Sequence, residues 1–112
     1  MNPPVTVTFL GIAHSESLEA DIRTRAAKLD ACGRGIVSCH VAVGVPHRHH
    51  GKGNPFSLQV AVATPGEEIA VKREGQRAEL RAVIRDAFNV VRRRLLEHAE
   101  KQRHAVEHGS SL

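Results

Sequence analysis

Three stretches of this sequence alternate between apolar and polar residues, and each gathers its apolar residues on a single face. Val5, Val7 and Phe9 share one phase in the first, and Phe56, Leu58, Val60 and Val62 share one in the third. The second runs from Ile36 to Val43, with Val37, Cys39, Val41 and Val43 in phase. A strand that is apolar on one face must be covered there and can leave the other face to water, which points to a one-sided sheet with helices over it. The turn sequence Thr64-Pro65-Gly66-Glu67 follows the third stretch, and Ile69 and Val71 then share a phase in a short fourth strand. This end of the sheet reads as a meander.

Two segments carry the helical period instead. Leu18, Ile22, Ala26 and Leu29 recur at helical spacing after His14-Ser15-Glu16-Ser17, which supplies N-cap candidates and an acid for the first turn. This helix is expected to end near Cys32-Gly33. The second is long, from about Gln76 to His104, with Leu80, Ile84, Ala87, Phe88, Val91 and Leu95 on one stripe. At about 1.5 Å per residue it outruns the sheet it covers, so its last third should project or fray.

The order β-α-β-β-β-α predicts an α+β two-layer sandwich, a four-stranded sheet with both helices packed on one face, related to double-stranded RNA-binding-like folds. A chain of 112 residues forms one core. We expect a single domain over residues 1–106 and a disordered tail over 107–112, where periodicity is lost.

The residues present disfavour several function classes. No run approaches the roughly 20 apolar residues of a membrane span, and Met1-Asn2-Pro3-Pro4 leads straight into a strand without a signal-peptide pattern, so a cytoplasmic protein with no membrane partner is expected. Cys32 and Cys39 match neither a redox pair nor a zinc knuckle and read as packing thiols. No phosphate-binding glycine loop, metalloprotease helix, nucleophile elbow or pair of apposed carboxylates is present. An enzyme is therefore not expected, nor a cofactor or a small-molecule substrate. Aromatic stacking on single-stranded RNA is disfavoured too, because the chain has no Tyr or Trp and only three Phe.

Charge carries the positive signal. Sixteen Lys and Arg against twelve Asp and Glu give a formal net charge of +4, which favours an anionic partner. On a wheel of the long helix, Arg81, Arg85, Arg92 and Arg103 fall between about 100° and 140° from Leu80, while Glu79, Asp86 and Glu97 gather near about 250°. Segregated charge suits a partner better than it suits pairing along the helix, although a solvated face is the ordinary alternative. Arg92-Arg93-Arg94 strengthens the case, since adjacent guanidinium groups repel unless an anion is near, and a guanidinium can grip phosphate oxygens two at a time. The loop His47-Arg48-His49-His50-Gly51-Lys52-Gly53-Asn54 is rich in donors and suited to a phosphate backbone, with a pH-sensitive contact through its histidines. His47 and His49 lack the nearby Cys, Asp or Glu that would complete a metal site, so no metal is expected.

With this order and this basic second helix, the sequence resembles the ribosome hibernation promoting factors, also described as ribosome-associated inhibitors or sigma-54 modulation proteins. The resemblance covers about residues 5–103. Leu18 to Asp30, LEADIRTRAAKLD, is similar to the family segment in which a basic residue precedes a Lys-Leu-acid triplet, here Arg25, Lys28 and Leu29. Ala82 to Lys101 is similar to the segment ending Arg-x-Leu-x-x-His, here Arg93, Leu95 and His98, and Pro65-Gly66-Glu67 matches the turn before the last strand. His47-Arg48-His49-His50 after Pro46 resembles a loop of one branch. The chain departs at Val90 and Glu97, where relatives often carry Lys, and at Leu80-Arg81, where they carry Met-Tyr.

The resemblance implies a short-form hibernation factor, without the added C-terminal domain of the long form. It implies binding in the decoding channel of the small ribosomal subunit, occluding messenger and transfer RNA in stationary phase or stress, by steric blockade. Its partners would be the small subunit and ribosomal RNA, with the protein a monomer when bound. Arg25, Lys28, Arg93 and Lys101 are the family-matched contacts; Arg81, Arg85, Arg92, Arg94 and the loop residues His47, Arg48, His49, His50 and Lys52 join them. Two other readings compete: a general double-stranded RNA or acidic-protein binding module, and a structural protein that self-associates through the small-residue sheet face.

Overall fold

The computed structural model describes residues 3–31, 35–46 and 53–109, without the side chains of 98, 99 and 101–109. The order is β1 (Val5–Leu10), α1 (Glu16–Leu29), β2 (Ser38–Gly44), β3 (Pro55–Thr64), β4 (Glu67–Gln76), a single 3-10 turn (Arg77–Glu79) and α2 (Leu80–Gly109). The strands lie side by side in chain order. β1 and β2 are parallel, joined by α1 as the crossover, while β2, β3 and β4 form an antiparallel meander.

One face of the sheet makes the core. Cys39, Val41 and Val43 of β2, Phe56, Leu58, Val60 and Val62 of β3, and Ile69 and Val71 of β4 are buried there. Leu18, Ile22, Ala26 and Leu29 of α1 and Leu80, Ile84, Ala87, Phe88, Val91 and Leu95 of α2 close over them, and Val5, Val7 and Phe9 pack against the same cluster from the β1 edge. Every helical residue on the two expected stripes is therefore in the core. Each large aliphatic buried this fully contributes about 1.5–3 kcal/mol relative to exposure. The Cys39 thiol, pushed up to about 11 by burial, stays protonated at neutral pH and acts as a packing group. Among the described residues no helix is long and apolar enough to cross a membrane.

Local chemistry sets the element ends. Ser15 caps α1 by accepting a hydrogen bond from the Leu18 N–H at 3.2 Å, with Glu16 and Glu19 in the first turn. The β3–β4 turn places Gly66 at φ +82°, a conformation that favours glycine, after Pro65 has fixed the preceding φ. Thr64 Oγ1 donates to the Glu67 carbonyl at 3.0 Å across that turn.

Four details depart from the sequence reading. Val37 shares the phase of β2 but precedes the strand and is 57% exposed; its N–H still bonds the Ala63 carbonyl at 2.8 Å, whereas Ile36 packs against the core in its place. The fourth strand is ten residues long, not short, because Lys72–Gln76 pair with Pro55–Gln59 without any apolar alternation of their own. α1 ends at Leu29, ahead of Cys32-Gly33. Gln76 belongs to β4 and caps the 3-10 turn by a reciprocal box with Glu79, so α2 starts later, at Leu80, and its backbone runs to Gly109, past His104. Of the expected tail, 107–109 lie in the helical backbone, while 110–112 lie outside the described residues.

The start of α1 is also tied to the sheet edge. His14 Nε2 donates to Glu19 Oε1 at 2.7 Å, Arg23 Nε donates to Glu19 Oε2 at 2.9 Å, and Arg23 donates to the Val5 carbonyl at 2.9 Å. The hydrogen bond from His14, followed by that from Arg23, holds the Glu19 carboxyl below its usual 4.5. A carboxyl depressed in the folded state adds stability above its unfolded pKa and loses it as pH falls through the lower folded value. Glu19→Gln should accordingly flatten the loss of stability below about pH 4.5, read as urea midpoints across an acid series; an unchanged acid limb would refute this.

Candidate nucleic-acid interface

The two helices run in the same direction across the sheet. Arg81, in the first turn of α2, donates to Ser17 Oγ at 3.0 Å and stands 3.9 Å from Asp21, both early in α1. Further along, Thr24, Arg25, Lys28 and Leu29 of α1 face Phe88, Asn89 and Arg92 of α2 across a groove of about 400 Å³. The groove has a buried apolar floor, Leu29 and Phe88, and polar walls that carry one acid and three cations. Asp21 is the acid, and Arg25 Nε holds it at 3.3 Å. Both of its ion pairs are solvent-exposed enough to contribute only about 0–1 kcal/mol each. Arg25 is therefore held in place without being locked there.

The geometry sorts the expected residues into groups. Arg25 and Lys28 on α1 and Arg92 on α2 come together at the groove, and Arg81 braces its near end. Arg85 is exposed, its Nε 3.4 Å from Asp86. Arg93 is exposed as well and does not line the groove, in keeping with its place about 100° around the wheel from Arg92. Arg94 turns the opposite way from the groove and donates to the Ala70 carbonyl of β4 at 3.2 Å. That contact covers the outer edge of β4, much as Arg23 covers β1 at the other edge of the sheet. Lys101 falls on α2 with its side chain outside the described residues, and His47, Arg48, His49, His50 and Lys52 lie outside them altogether.

Sequence reasoning missed the neutral half of the groove. Thr24 and Asn89 are lining residues with no charge to mark them, and the signal that would have found them is their spacing beside Arg25, Lys28 and Arg92 once the helices are aligned in parallel. Val90, where relatives often carry Lys, is half-buried against the core, so an aliphatic side chain suits that flank of α2. The open sheet face carries Thr6, Thr8, His40, Ala42, Gln59, Ala61 and Ala70 and no Phe. Among the described residues no three metal-ligating side chains gather.

Comparison with known proteins agrees with this architecture. The N-terminal domain of Protein Y from Thermus thermophilus superposes with a TM-score of 0.63 at 17% identity, covering 81% of this chain and 94% of that one. A ribosomal subunit interface protein from Coxiella burnetii superposes with a TM-score of 0.59 at 14% identity, covering 90% of this chain and 98% of that one. At such identities the likeness is one of fold. No curated protein sequence matches the chain. Residues 5–103 do match the model of the family described as sigma 54 modulation protein / S30EA ribosomal protein, and the chain belongs to that family.

Proposed function

We propose that this protein is a ribosome-associated translation inhibitor that binds the small ribosomal subunit in its decoding channel and occludes messenger and transfer RNA under stress or in stationary phase. The observation that carries the reading is the convergence of Arg25, Lys28, Arg81 and Arg92 along two parallel helices, in a chain of this family. Ribosomal RNA in its helical parts presents rows of phosphates and a shape, not base edges, and a rigid cationic ridge recognises both. Binding alone would suffice for inhibition, without chemistry or cofactor, and would take place in the cytoplasm with the protein as a monomer. Arg85, Arg93, Lys101 and the loop residues His47, Arg48, His49, His50 and Lys52 are proposed as further phosphate contacts around the ridge. Arg94 is proposed to serve both the RNA and the β4 edge.

Sedimentation with small subunits, whole ribosomes and a simple RNA duplex across a salt series tests the reading. Saturation near one protein per small subunit, weakened by salt, is the expected result. Equal affinity for the duplex would point to a general RNA-binding module, and no binding to ribosomes at moderate salt would refute the proposal.

A further inference from the structure

We propose that the groove between α1 and α2 is a discrete binding site for a compact polyphosphate, the di- or triphosphate group of a free nucleotide or its inorganic counterpart. This deepens the ribosome-binding reading by giving the same groove a small ligand of its own. Three features carry it. The cations stand on opposite walls, Arg25 and Lys28 on α1 and Arg92 on α2, so an anion with several phosphates can engage both helices together where a single phosphate would favour one. The volume of about 400 Å³ lies within the range of small-ligand sites. The floor is apolar and nearly sealed, with Leu29 at 3% and Phe88 at 4% exposure, which strengthens charge interactions above it while offering a base almost no surface for stacking.

The remaining groups fit an anion. Asp21 would repel one if its charge were unopposed, but Arg25 Nε and Arg81 stand 3.3 and 3.9 Å from it and offset that charge. Asn89 adds an amide donor on the α2 wall. Selectivity is therefore for the phosphate chain, with the nucleoside left outside the groove.

The test uses the full chain without ribosomes, titrated with inorganic pyrophosphate, tripolyphosphate, adenosine triphosphate and adenosine, and followed by amide chemical shifts. Saturable shifts at Thr24, Lys28, Asn89 and Arg92 are expected with the three phosphate ligands and none with adenosine. Equal affinity for tripolyphosphate and adenosine triphosphate would mark the inorganic chain as sufficient, and a preference for the nucleotide would mark the free nucleotide as the source. Asn89→Asp, an exposed change that places a carboxylate in the groove, should weaken binding about tenfold, near the worth of one charge-assisted hydrogen bond. Arg73→Gln, on β4 and outside the groove, should leave it unchanged. Shifts spread equally over Arg73 and Arg93, a lack of saturation, or an indifferent Asn89→Asp would overturn the site. Because no ribosome is present, such a failure is distinct from failure of the sedimentation experiment.

Discussion

Replacing Arg25, Lys28 and Arg92 together by Gln should lower affinity for the small subunit by at least about a hundredfold and reduce the salt dependence by about two to three units of slope. Each cation that neutralises a phosphate releases a counterion, so three lost contacts must appear in the slope as well as in the affinity. The fold should survive, because Arg25, Lys28 and Arg92 lie on the solvent side of their helices and none belongs to the core. Single replacements grade the surface. Arg92→Gln should cost more than Arg93→Gln, since Arg92 borders the groove and Arg93 does not. Arg94→Gln should show itself in stability or self-association as well as in binding, because its guanidinium bonds the Ala70 carbonyl at the β4 edge. Sedimentation at several salt concentrations reads the binding effects, and urea unfolding with gel filtration reads that of Arg94→Gln; a triple variant that binds like the parent, with an unchanged slope, would remove the groove from the interface.

Phe56→Ala should be the most damaging core substitution, at about 3–5 kcal/mol against a typical domain stability of about 5–15 kcal/mol. Phe56 is fully buried and pairs in register with Gly75 on β4. A β-carbon at position 75 would lie 3.2 Å from Phe56 Cε1 and 3.3 Å from Cζ, so the glycine makes room for the ring. Gly75→Ala should thus destabilise by about 1–3 kcal/mol in the parent and by less in a Phe56→Leu background, where the ring is gone. Urea unfolding of the four proteins in that cycle decides it. Equal costs of Gly75→Ala in both backgrounds would show that the ring does not set the requirement for glycine.

Much of the fold can be read from neighbouring residues because strand and helix periods are local. The phases of β3 and of both helices predict the buried residues, and Ser15 announces the start of α1. Val37 misled because alternation assigns faces only within a strand, and β2 begins at Ser38; ahead of it Ile36 packs against the core and Val37 is exposed. The length of β4 was hidden for a related reason. Lys72–Gln76 are strand because β3 offers partners to their backbone, and no apolar pattern in those residues records it.

The candidate site divides along the same line. The wheel of α2 finds Arg81, Arg85 and Arg92 as one flank, since that is a property of a single helix. That this flank meets Arg25 and Lys28 is decided by the parallel packing of α1 against α2, through contacts such as Arg81 to Ser17, 64 residues apart. The division of Arg92, Arg93 and Arg94 among groove, solvent and β4 edge is likewise invisible in a run of three identical residues. The elements and their apolar faces follow from residues within a turn or two of one another, and the excess of positive charge from composition, so both are legible in the residue order. Which cations converge and which brace the fold emerges from helix packing, because that depends on groups brought together across the core from distant parts of the chain.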